Sequence, residues 1–469
     1  MQKNPPASEP ATELPARLGA PASRAASGLH KARRPAVTFE ADPQDEVARH
    51  NLASRLVERS RYFEALALLR PANASRVLRP ESAVVLARAL IGAGALAEAE
   101  TTLVSALTQA PRLLQAHLAL AELRWMATGD LASASAALRQ AVRRHPSDPA
   151  LLLGLAKVLG AAGDHGEACE LAFDALMLVP GDGGVRLAAA QHALACGDAS
   201  TAFILAETVY AERPDDRRSL ESFCMAALAL GRAERAYAAA GSALRADPDD
   251  QLAKALLAVA ARVSGFADYA RLHDYDALVA SDLLETPPGW SSLRGFLDDL
   301  KATLEARHRF RHSPYDQSVR GGGQIELEVD SADPVLGAFF ASIRPRLEAY
   351  VHGSALRSGV LGSASPEIAG AWSVRLRSGG HHASHIHPRG RISSAFYVDV
   401  PPTGFGEDRR GWLYFGKPGF PVHPPLEADH HIRPEPGLLV LFPSYMFHGT
   451  IPFEAAEHRL SLAFDVRGG

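Results

Sequence analysis

Two histidines, His385 and His387, stand two residues apart in the stretch GGHHASHIHPRGRISSAFYVDVP, residues 379–401. On an extended strand, residues i and i+2 point to the same face, so this spacing sets two imidazoles side by side, as a chelate requires. A third histidine, His448, follows the apolar run Leu438 to Phe442 and a Pro443-Ser444 turn. Eleven residues later, Arg459 opens the alternating segment Leu460 to Val466. There Arg459, Ser461 and Ala463 share one face, and Leu460, Leu462 and Phe464 share the other. An arginine on an enclosed strand face is costly unless an anion meets it. A guanidinium fork suits a carboxylate in a bidentate pair. The residues thus combine a metal-binding pair, a distal histidine and an anion-binding arginine.

Imidazole suits ferrous iron, and three protein ligands leave positions open for a cosubstrate and O₂. The surrounding motifs are WSVRLR at 372–377, HIHP at 385–388, SSAFYV at 393–398 and GWLYFG at 411–416. They continue with PGLLVLFPS at 436–444, His448-Gly449-Thr450, RLSLAFD at 459–465 and, upstream, DQSVRGG at 316–322. On these residues the region 310–467 resembles the 2-oxoglutarate/Fe(II) oxygenase family of bacteria and phages, in particular members fused to tetratricopeptide repeats. The resemblance implies Fe(II) held by His385, His387 and His448, with 2-oxoglutarate as cosubstrate. It implies Arg459 on the distal carboxylate of 2-oxoglutarate, Ser461 supporting it and Tyr397 as a second donor. The broader superfamily carries Asp or Glu where His387 stands. Two arrangements follow: three histidines on the iron, or two with water in the third place.

These side chains need a rigid frame. Past residue 370 the chain reads as short strands with Gly/Pro turns, at 372–377, 392–400, 412–416, 437–442 and 459–466. Segments 291–308 and 334–352 read as amphipathic helices. Helices followed by several antiparallel strands predict an α+β double-stranded β-helix, or jelly roll, backed by helices. His381 and His382, like His430 and His431, read as solvent-exposed loop histidines, although one of the first two could line the pocket. Trp372 and Trp412 read as core.

Upstream the chain repeats itself. Prolines fall at Pro111, Pro146, Pro180, Pro214 and Pro248, and glycines at Gly94, Gly129, Gly163, Gly197 and Gly231; both series step by 35, 34, 34 and 34. Five residues after each glycine stands an alanine: Ala99, Ala134, Ala168, Ala202 and Ala236. The glycine ends one helix in a left-handed conformation, the alanine lets the next helix approach closely, and the proline breaks it. This resembles the tetratricopeptide repeat, whose period is about 34. Ser60 and Ala65 continue the register into a degenerate unit at 45–76, and 249–265 reads as a capping helix. The expected organisation is multidomain: a disordered tail at 1–42, an all-α tetratricopeptide-repeat solenoid at 43–265, and a jelly-roll oxygenase domain at 266–469.

Composition narrows the function classes. The 469 residues carry 49 basic and 53 acidic side chains, a net charge of −4, so nothing electrostatic points to nucleic acid or an anionic membrane. Three cysteines, Cys169, Cys196 and Cys224, exclude a disulfide scaffold; in their Ala/Leu-rich surroundings they read as small buried side chains. The first 42 residues hold six prolines and one aromatic, Phe39, too little apolar surface to offset ordering. No apolar run is long enough for a signal peptide or a span, so the expected location is cytoplasmic. The leading expectation is a dioxygenase that hydroxylates a protein or peptide side chain presented by the repeat groove. A non-catalytic scaffold with an inert barrel, and a three-histidine iron enzyme that does not use 2-oxoglutarate, are the alternatives.

Overall fold

The computed structural model describes residues 45–70, 78–310, 312–315, 317–355, 366–404 and 406–468. The tail expected at 1–42 and Asp316 of the DQSVRGG motif lie outside the described residues.

Among the described residues the repeats form thirteen helices. They are α1 (Glu46–Val57), α2 (Tyr62–Leu69), α3 (Pro80–Ala93), α4 (Leu96–Gln109), α5 (Leu114–Thr128), α6 (Leu131–Arg144) and α7 (Pro149–Ala161). The series continues with α8 (His165–Leu178), α9 (Gly183–Ala195), α10 (Ala199–Glu212), α11 (Arg217–Ala229), α12 (Ala233–Ala246) and α13 (Gln251–Ser264). The register glycines take positive φ, from 70° at Gly129 to 97° at Gly163, and Gly265 extends the series at 70°. Ser60 holds the equivalent position at φ 57°, so the degenerate unit keeps the turn without the glycine. The register alanines are at most 1% exposed, the close contact the pattern requires. A further marker is aspartate. Asp148, Asp182, Asp216 and Asp250, again 34 apart, cap α7, α9, α11 and α13 by accepting backbone N–H bonds.

Each odd-numbered helix packs on the next odd-numbered one, whereas the even-numbered helices pack chiefly on their chain neighbours. The odd helices are therefore the inner layer. Much of that layer is covered by the chain itself. Phe310 packs into the core of the first repeats, His312 N–H donates to Met126 O at 3.3 Å, and Tyr315 is buried against α7. At the other end α13 is buried along almost its whole length, Lys254 and Gln251 included. Its leucines share one core with Tyr397, Phe415, Phe442 and Tyr445 of the C-terminal sheets.

The C-terminal part begins with α14 (Asp268–Leu272), α15 (Tyr275–Leu278), β1 (Ala280–Leu283) and α16 (Leu293–Glu305). It continues with β2 (Val319–Leu327), α17 (Pro334–Tyr350), a short π-helical turn Val351–Ala355, β3 (Pro366–His382) and β4 (Ile392–Asp399). The last strands are β5 (Leu413–Phe415), β6 (His430–Ile432), β7 (Leu438–Pro443), β8 (His448–Thr450) and β9 (Arg459–Gly468). Two antiparallel sheets result, ordered β1-β7-β4-β9-β3-β2 and β6-β5-β8. This is the expected jelly roll. Its strand alternation matches the reading from sequence: Leu460, Leu462, Phe464 and Val466 meet α16 and α17, while Val440 and Phe442 face inward.

Strand β2 escaped the sequence reading because its sequence is VRGGGQIEL, poor in β-formers. Its glycines are there for contact: a Cβ on Gly322 would collide with Arg375 O, beside a bulge in the β2–β3 pairing. Two further expectations are corrected. Cys196 is exposed and Cys169 half-buried, because they lie at the margin of α8 and α9; Cys224 alone is buried. His430 and His431 form β6 and are half-buried, the former stacked on Tyr275 at 4.6 Å. No helix among the described residues is long and apolar enough to cross a membrane.

Candidate metal centre

His385, His387 and His448 converge, with one ring nitrogen of each within 4.8 Å of the other two. Their ring centroids are 4.3 to 5.2 Å apart. The placement of His385 and His387 differs from the expectation in detail. Regular β3 pairing stops at His382, and the H-x-H segment is held by a single bridge between His385 and His448. Bonds run both ways there, His385 N–H to His448 O at 3.0 Å and His448 N–H to His385 O at 3.1 Å. His387 N–H donates to Ser444 O at 3.0 Å, so the segment stays extended and both imidazoles keep one side.

Each imidazole is oriented from behind. Nδ1–H of His385 donates to Ala383 O at 2.9 Å, and that of His448 to Met446 O at 2.9 Å. Nδ1 of His387 meets Asp465 Oδ2 at 2.7 Å. With the Nδ1 protons committed, each Nε2 presents a lone pair to the shared centre. The Nε2 atoms of His385 and His387 are 3.0 Å apart. Adjacent nitrogens bound to one first-row metal at about 2.1 Å sit roughly 3 Å apart, so the donor set fits a divalent metal. Burial, then the neighbouring imidazoles, push His385 down to about 3 and His448 well below the usual histidine range. Both are therefore neutral, the form that binds metal.

Arg459, at the head of β9, is 1% exposed. Its Nη1 donates to Gly411 O at 2.8 Å and its Nη2 lies 3.4 Å from Thr450 Oγ1. Its Nε has no partner, nor has the Tyr397 hydroxyl, and both atoms are buried. The guanidinium carbon lies 5.8 Å from the Tyr397 ring centroid. Burial lowers the Arg459 pKa and raises that of Tyr397. Among the described residues no carboxylate pairs with Arg459. Each buried polar group left without a partner costs about 1–3 kcal/mol. A carboxylate placed between the two would satisfy both, so these residues fit an anionic cosubstrate. Ser461 stands opposite Tyr397 in the β4–β9 register.

Residues 370–465 match the model of a family described as "Putative 2OG-Fe(II) oxygenase". The matched segment lies in the C-terminal sheets that follow the helical repeats, and likeness to this family implies Fe(II) and 2-oxoglutarate. The matched segment contains every residue singled out for the site. No curated protein sequence matches the chain. Among solved structures, a tetratricopeptide protein of Thermus thermophilus is 24% identical with a TM-score of 0.31, over 39% of this chain and 99% of its own. A tetratricopeptide protein of Parabacteroides merdae is 16% identical with a TM-score of 0.37, over 48% of this chain and 90% of its own. A prolyl-4-hydroxylase of Pseudomonas putida is 17% identical with a TM-score of 0.29, over 42% of this chain and 96% of its own.

Three neighbours of the site depart from, or were missed by, the sequence reading. His382 is not a solvent-exposed loop residue: it ends β3, its ring lies 6.0 Å from that of His385, and its Nδ1 is 3.2 Å from Ser318 Oγ. Trp372 does more than fill core, because its ring stacks on His387 at 5.4 Å. Asp465 was overlooked, although the i, i+2 alternation that set Arg459, Ser461 and Ala463 on one face extends to it. His381 is half-buried beside Gly379, and Trp412 is half-buried with its indole N–H unpartnered.

Proposed function

We propose that this chain is an Fe(II)- and 2-oxoglutarate-dependent dioxygenase that hydroxylates a protein or peptide side chain. The repeats, 43–265, would take part in substrate binding, and 266–469 would carry the chemistry. The observation that carries the reading is the conjunction of three Nε2 lone pairs aimed at one point with two buried donor atoms, Arg459 Nε and the Tyr397 hydroxyl, that lack an acceptor.

In this reading His385, His387 and His448 hold the iron, and Arg459 and Tyr397, backed by Ser461, hold the distal carboxylate of 2-oxoglutarate. Bound iron with its cosubstrate supplies O₂ activation and C–H hydroxylation. The chain supplies position and exclusion of water. The backbone acceptors at Ala383 and Met446 fix which ring nitrogen faces the metal, and Phe442 walls the site 4.6 Å from His448. Arg309, Phe310, His312 and Tyr315 occupy the inner side of α3, α5 and α7, so a substrate would approach by the margin between the later repeats and the H-x-H loop. There Arg217 of α11 reaches Pro388 O at 3.4 Å.

The test is anaerobic titration with Fe(II) and 2-oxoglutarate, watching for the weak visible charge-transfer band of the iron–keto-acid chelate. The band is expected in the wild type and absent in His448→Ala. Iron binding with no band would favour a three-histidine enzyme without 2-oxoglutarate. Absence of iron binding in folded protein would favour an inert barrel beside a repeat scaffold. The buried Arg459, with no carboxylate partner among the described residues and its Nε unpartnered, weighs against both, since neither use requires an anion-binding group there.

A further inference from the structure

The three histidines are not equivalent. His385 and His448 are backed by neutral backbone carbonyls, whereas His387 is backed by the carboxylate of Asp465. That carboxylate is itself built in. Its second oxygen, Oδ1, accepts from Ser393 Oγ at 2.9 Å, and Ser393 Oγ lies 2.9 Å from Ser444 Oγ. Ser444 in turn holds the His387 backbone. Gly390 makes room for the cluster: a Cβ there would lie 2.7 Å from Ser444 Oγ and 3.4 Å from Asp465 Cγ. The Trp372 ring covers the His387 face, and the Asp465 side chain is 18% exposed.

Charge explains why such a construction is useful. Three neutral imidazoles around a divalent cation leave its charge uncompensated in a largely buried site, beside the buried guanidinium of Arg459. A carboxylate hydrogen-bonded to Nδ1–H raises the basicity of Nε2 and lends the ligand anionic character. We propose that Asp465 is a positioning residue of the metal centre, which supplies through His387 the negative charge that none of the three protein ligands carries and locks that imidazole in its metal-facing tautomer. The proposal rests on the metal-site reading given above.

Co(II), which resists oxidation, is the probe, with affinity measured by chelator competition and the ligand field read from its visible absorption. Asp465→Ala is expected to weaken Co(II) binding about 10- to 100-fold, the usual range for such supporting groups. Asp465→Asn, which keeps an acceptor oxygen and the side-chain shape but not the charge, is expected to bind with intermediate affinity and a shifted absorption band. In a His387→Ala background, Asp465→Ala should cause no further loss. Unchanged affinity in both Asp465 variants, or an equal loss with and without His387, would overturn the proposal; the latter would mark a purely structural role. Failure of the wild type to bind Co(II) would overturn the metal-site reading and this proposal together.

Discussion

His385 and His448, 63 positions apart, face each other across a single antiparallel bridge, with backbone hydrogen bonds of 3.0 and 3.1 Å in the two directions. The bridge sets their ring centroids 4.3 Å apart. Gly449, next along β8, permits the approach: a Cβ there would lie 2.5 Å from the Tyr414 hydroxyl and 2.8 Å from His382 O. Gly449→Ala should therefore push β8 from the H-x-H segment, at about 1–3 kcal/mol of stability, and weaken metal binding at least about tenfold. Chemical denaturation and Co(II) titration check the two parts; normal metal affinity would show that the bridge tolerates displacement.

Arg459→Ala should leave metal affinity near wild type and weaken 2-oxoglutarate binding by about 10- to 100-fold, the worth of a charge-assisted hydrogen bond. Arg459→Lys should rescue little, because a point charge cannot reproduce the planar fork that also binds Gly411 O. Saturation of the charge-transfer band with 2-oxoglutarate measures both. An unchanged midpoint would remove Arg459 from the cosubstrate site.

The shared core predicts cooperative unfolding. Leu256 of α13 is 1% exposed in the cluster that joins the repeats to the sheets. Leu256→Ala should cost about 2–5 kcal/mol and lower helix and sheet stability together, with far-UV circular dichroism and tryptophan fluorescence transitions coincident. By contrast, Asp249→Ala removes the half-exposed bidentate pair with Arg391 (2.8 and 2.5 Å) and should cost under about 1 kcal/mol. Two separated transitions in the wild type would show that the halves fold independently.

Acid should destabilise the fold through two buried histidines outside the metal centre. His273 and His308 are each pushed down to about 4, mainly by burial. Their folded values lie below the unfolded value near 6.5, so the unfolded chain binds protons first. Their stabilising effect is complete above about 6.5 and is lost as pH falls toward about 4. For His273 the loss is on the order of 3 kcal/mol at about 1.4 kcal/mol per unit. Melting temperature against pH in His273→Gln and wild type checks the sign: the variant should flatten the curve in this window.

Much of the architecture is local information. The 34-residue period follows from where glycine, alanine and proline are sterically required, and it persists even at Ser60, where the turn outlives its glycine. The two-residue alternation of 459–466 assigns Arg459 and Ser461 to the enclosed face because strand side chains alternate whatever the partner. H-x-H keeps its two imidazoles on one side even though the regular strand ends at His382, since only extended backbone at those residues is needed. What spacing does not carry is pairing across the chain. That His448 bridges His385, that the Tyr397 hydroxyl and Arg459 Nε are left without acceptors, that Asp465 stands behind His387, and that Phe310, His312 and Tyr315 cover the inner helices all depend on contacts between distant segments. Such contacts are decided by the packing of whole sheets and helices, in which a strand as glycine-rich as β2 gains its place from the neighbours it lets approach.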